Sequence, residues 1–257
     1  MTTALMQVAA AALTLVFAAL ARDIARQRGG VSYVQRAAWV VVAVFFLWRS
    51  VPGVLQSLVM LRAAEAGPGS QEFALVVQWT PAMNYLRTLI AVAMGWTLAA
   101  LPLLRGQRID RVWWGTSLAC VLLAATGVYV GWLEGPTSRA HLVALTVLGA
   151  AELIGVLAGL TVGMLGDTLD RYLWIILCMY AVQVALNVMW YSSTAGFFYP
   201  GGWYPLPPLR YVYSFAVLVA ACALARQRLA LARRGVRVGG LMEIAGSGMV
   251  PTPRSRA

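Results

Sequence analysis

Apolar positions in this chain gather into seven long runs, at approximately residues 4–21, 37–61, 82–104, 112–133, 141–165, 172–193 and 209–231. Most reach the ~20 residues that a helix needs to cross the hydrocarbon core of a bilayer. Short polar segments rich in arginine, glycine and proline separate them. The pattern predicts an all-α integral membrane protein, a seven-transmembrane helix bundle spanning residues 1–236, followed by a basic disordered tail from 237.

The arginines give this bundle a direction. No basic residue precedes the first run, whereas Arg22, Arg26 and Arg28 follow it, the reverse of a secretory signal. Arg36, then Arg105, Arg108 and Arg111, and finally Arg226 through Arg256 fall on the same side. The opposite loops carry Arg62, Arg139 and Arg210 together with Glu65, Glu72 and Glu134. By the positive-inside rule, the chain is expected to sit in a cytoplasmic-type membrane with its N-terminus outside and its C-terminus inside.

Two outer segments have a character of their own. Residues 67–78 read as a short interfacial helix that Pro81 breaks from the third span. The loop Gly196–Pro208 concentrates aromatics and prolines, which suits the headgroup layer. Trp79-x-Pro81 and Trp203-x-Pro205 precede spans three and seven, as parallel repeats of three helices around a linker would require. That topology is similar to the sugar transporters with Pro-Gln motifs, but no Pro-Gln pair occurs here.

Composition agrees with lipid as the solvent: 61% of residues are hydrophobic and 11% charged, too apolar a balance for a soluble domain. The net charge of +11 therefore reports topology rather than nucleic-acid binding. Every basic residue is arginine. With no lysine to form a Schiff base, retinal and pyridoxal phosphate are excluded as cofactors, and no other cofactor is expected. Cys120, Cys178 and Cys222 lie inside apolar runs without metal-ligand spacing. His141, the single histidine, is expected as an interfacial side chain at the lip of span five, and Asp167-x-x-Asp170-Arg171 as a solvated turn. No metal site, phosphate loop or catalytic set is expected, so the chain reads as a non-enzyme.

Ionisable groups within the spans are the candidate chemistry, because each costs roughly 2.5–3.5 kcal/mol at the bilayer centre without a partner. Arg49 and Glu152 lie halfway along spans two and five, with opposite charges. They are expected to pair, either as the floor of a polar pocket or as a clamp between helices. Asn84 and Arg87 share a face of span three, Gln183 and Asn187 a face of span six, and Tyr211 begins span seven. Together these seven residues would line an outward-facing cavity for a small ligand or a lipid headgroup. Gly155, Gly159 and Gly163 form a small-residue run for close helix approach, within this bundle or with a membrane partner. The resulting expectation is a receptor-like or accessory membrane protein coupled to a cytoplasmic partner. The alternative is a small-solute or lipid carrier gated by Arg49 and Glu152.

Overall fold

A computed structural model describes residues 2–27, 29–67, 69–100, 122, 129, 133, 139–165, 169–194 and 206–239. Among these the fold is entirely helical: α1 (Thr2–Arg26), α2 (Tyr33–Ala66), α3 (Gln71–Ala100), α4 (Arg139–Leu165), α5 (Arg171–Thr194) and α6 (Leu206–Arg233). These correspond to the first, second, third, fifth, sixth and seventh apolar runs, each helix outreaching its run at one or both ends. Val8–Arg26, Arg139–Thr161, Arg171–Ser192 and Val212–Arg233 are long and apolar enough to cross a membrane. The fourth run lies outside the described residues apart from Leu122, Tyr129 and Leu133. These three are helical and well exposed, and their spacing places them on one face.

The helix ends follow from local chemistry. Ser32 and Gln35 start α2 with a capping box: the Gln35 amide N–H donates to Ser32 Oγ, and the Ser32 N–H donates to Gln35 Oε1. Gly67 ends α2 at φ 90°, a conformation open to glycine. Ser70 then opens α3, its Oγ accepting from the Phe73 N–H. α3 continues through Pro81, so the expected break there does not occur. Proline removes a single ladder hydrogen bond, and a long apolar helix retains the bonds on either side.

Neighbours in sequence pack against one another from α1 to α6, and α6 returns to α1, which closes the bundle into a ring. Cys222 Sγ lies 3.3 Å from the Leu13 carbonyl, and further along α6 Arg228 reaches Gly30, just past the end of α1. These contacts show that α1 and α6 run in the same sense. An aromatic cluster fills the centre: Phe17 of α1 meets Trp39 and Phe46 of α2 at 5.9 and 5.2 Å, and Phe45 and Phe46 meet Tyr180 of α5 at 5.3 and 5.8 Å. Such ring pairs add about 0.5–1.5 kcal/mol each beyond their area.

The glycine run of α4 is used within the chain. A Cβ on Gly95 of α3 would stand 2.6 Å from the Gly155 carbonyl carbon, so these two backbones touch. Gly163 packs under the Leu169 side chain, and Gly159 is buried.

Beyond α6 the chain turns back. Gly235 takes φ 69°, its N–H bonds the Ala232 carbonyl at 2.9 Å, and the Val236 N–H bonds the Leu231 carbonyl at 3.0 Å. This is a Schellman turn, and it carries Val236 across Gly30. Gln35 Nε2 then donates to the Val238 carbonyl at 3.4 Å, and the Val238 side chain is buried. Residues 240–257 of the expected tail lie outside the described residues.

Candidate functional site

Two buried polar clusters sit at different depths in the bundle. The first is centred on Glu152, halfway along α4 and 5% exposed. The Tyr180 hydroxyl donates to Glu152 Oε1. Tyr180 is 1% exposed, and the edge-on contacts with Phe45 and Phe46 described above hold its ring. The helical register explains the placement: Leu173, Ile176, Leu177, Tyr180 and Val184 form the buried stripe of α5, which aims the phenol into the bundle.

One turn along α5 a second polar contact reaches the other neighbour. Gln183 Nε2 donates to Ser214 Oγ of α6 at 2.7 Å, and the Tyr213 hydroxyl donates to the Met179 carbonyl at 3.1 Å. Asn187, half-buried, follows Gln183 on the same face. Thus α5 carries Tyr180, Gln183 and Asn187 toward α4 on one side and α6 on the other. The side chains of Arg49, Asn84, Arg87 and Tyr211 lie outside the described residues, as does the expected Arg49–Glu152 pairing.

The second cluster was missed in the sequence. Asp170, expected in a solvated turn, is fully buried. Its Oδ1 accepts the Leu173 N–H at 3.1 Å and so caps α5. Its Oδ2 accepts from Trp39 Nε1 at 2.9 Å and from Arg228 Nε at 2.7 Å. Arg228, also fully buried, donates from Nη2 to the Gly30 carbonyl at 2.7 Å, while Nη1 has no hydrogen-bond partner among the described residues. Three parts of the chain therefore converge on one carboxylate, α2, the start of α5 and the late part of α6, and Arg228 ties the α1–α2 turn to them.

A signal for this cluster was present in the register of α6. Val217, Ala221, Ala225, Leu229 and Ala232 form its buried stripe, and Arg228 falls within that stripe while Arg226 and Arg233 do not. His141, in the first turn of α4, is 1% exposed, although the adjacent Arg139 and Ala140 are exposed.

No family model, curated protein or solved structure matches this chain.

Proposed function

We propose that this is a non-enzymatic, receptor-like or accessory membrane protein that holds a small polar ligand or a lipid headgroup at the Glu152 site. The observation that supports this most is the buried Glu152–Tyr180 hydrogen bond between α4 and α5. In a lipid environment a buried carboxylate is costly to retain, and a phenol that donates to it fixes its orientation between α4 and α5. A hydroxyl- or amine-bearing group suits such an acceptor, and Gln183 and Asn187 one and two turns along extend the polar surface.

Coupling to a cytoplasmic partner is the second half of the proposal. The Asp170 cluster ties α2, α5 and α6 to the α1–α2 turn, and the C-terminal segment lies over that turn. A shift of α5 at Tyr180 thereby has a mechanical path to the arginine-rich end, which the positive-inside rule places in the cytoplasm.

A carrier gated by Arg49 and Glu152 is the alternative. The contact of Phe45 with Tyr180 favours it, because Arg49 follows Phe45 by one turn of α2. Purified protein in lipid nanodiscs separates ligand binding from its absence: a library of small polar solutes and lipids is screened for a rise in melting temperature, with Glu152→Gln as the comparison. Flux in proteoliposomes then separates carrier from receptor.

A further inference from the structure

The outward faces of α1 and α6 repay comparison, since the two helices lie side by side and run in the same sense. On α1 one exposed stripe runs through Val8, Ala12, Leu15 and Ala19, and then Arg22 and Arg26, with Val16 exposed beside it. On α6 the matching stripe runs through Val212, Ala216, Val219 and Ala223, and then Arg226, Ala230 and Arg233, with Gln227 exposed beside Arg226. Each set advances by three or four residues, so each is one continuous helical stripe. Both stripes are apolar for about three turns and then carry arginines at the same end of the bundle. Arg234 and Arg237, exposed on the turn after α6, add to that end. Against them the two helices offer a single described carboxylate, Asp23, which already meets Arg22 at 3.3 Å.

We infer that the α1/α6 face is a binding surface for an anionic phospholipid, with the acyl chains along the apolar stripes and the phosphate among Arg22, Arg26, Arg226 and Arg233. Guanidinium groups grip phosphate oxygens in bidentate fashion, and their long stems lie along apolar surface while the head stays in the polar layer. The exposure of these four residues distinguishes them from Arg228, which is spent on Asp170 and Gly30. A zwitterionic lipid brings its own cation to the same place and loses the advantage. Because the surface is open and lies beside hydrocarbon-facing residues, its occupant is a lipid and not a soluble phosphate.

The test uses the full chain reconstituted in phosphatidylcholine bilayers, with trace spin-labelled phosphatidylglycerol or spin-labelled phosphatidylcholine. The motionally restricted fraction of each label gives their relative association. The expected result is a preference for phosphatidylglycerol of about fivefold or more, as one well-placed arginine supplies near an anionic surface. In Arg22→Gln, Arg26→Gln, Arg226→Gln, Arg233→Gln combined, that ratio falls to about one, while the matching set of Arg→Lys changes retains most of it. Equal association of the two lipids with the unmodified protein overturns the inference, as does a preference that survives the four glutamines. Displacement of the labelled lipid by inorganic phosphate at millimolar concentration also overturns it, since that assigns the site to a soluble anion. All four positions are exposed, so the variants are expected to fold; a melting temperature within a few degrees of the parent verifies this.

Discussion

Asp170 and Arg228 are both fully buried, and their side chains meet at 2.7 Å across 58 residues of sequence. Each is satisfied further by groups from other elements, Trp39 and the Gly30 carbonyl. Removing one partner leaves a buried charge and is expected to cost about 3–5 kcal/mol, whereas replacing both removes that charge and leaves only the loss of the α5 cap and of the Trp39 and Gly30 hydrogen bonds. Asp170→Asn and Arg228→Met should therefore each lower the melting temperature sharply, and Asp170→Leu with Arg228→Met should recover part of the loss. Thermal unfolding in detergent measures all three.

The contact between α3 and α4 makes an asymmetric prediction. A Cβ on Gly95 meets the Gly155 backbone at 2.6 Å, while one on Gly155 meets nothing closer than Trp96 Nε1 at 3.4 Å. Gly95→Ala should push the helices apart at a cost of about 1–3 kcal/mol, and Gly155→Ala should cost clearly less. The same unfolding assay on the two variants decides it.

A comparable asymmetry governs the turn beneath the C-terminal segment. Gly30 and Gly235 both have positive φ, at 72° and 69°. A Cβ on Gly30 would also lie 2.7 Å from the Val236 carbonyl oxygen, whereas one on Gly235 meets nothing within 4 Å. Gly30→Ala should thus detach residues 236–239, and limited proteolysis should cut there in that variant. Gly235→Ala carries the left-handed backbone penalty of about 1–2 kcal/mol and should stay protected for longer.

The two interhelical polar contacts of α5 should differ in strength. Neutral side-chain hydrogen bonds within membrane bundles average about 0.6 kcal/mol, which is the expectation for Gln183 with Ser214. A bond to a carboxylate is stronger, and a double-mutant cycle of Glu152→Gln with Tyr180→Phe should return about 1.5–3 kcal/mol. Equal coupling in the two cycles would reduce the Glu152 site to ordinary packing.

Helix positions were legible in the sequence because span length and apolar composition are local properties. The run 172–193 lies within α5, and 209–231 lies within α6. Which charges point inward was not legible from counting arginines by loop. Arg228 was assigned to the topological belt along with Arg226, although the two fall on different faces of one helix. Asp170 looked like a turn residue because its partners, Trp39 and Arg228, come from opposite ends of the chain. Glu152 stood out by its depth alone, but its contact with Tyr180 depends on how α4 and α5 pair. An aromatic phenol within an apolar stripe gives no separate signal.

Native mass spectrometry of the protein released gently from its own membrane tests the Glu152 site most directly. The site is expected to retain a small polar molecule or lipid as a stoichiometric adduct. Glu152→Gln is expected to lose that adduct, while Gly69→Ala, at an open surface position, keeps it. An unmodified protein with no adduct, or an adduct retained equally after Glu152→Gln, would contradict a ligand held at Glu152.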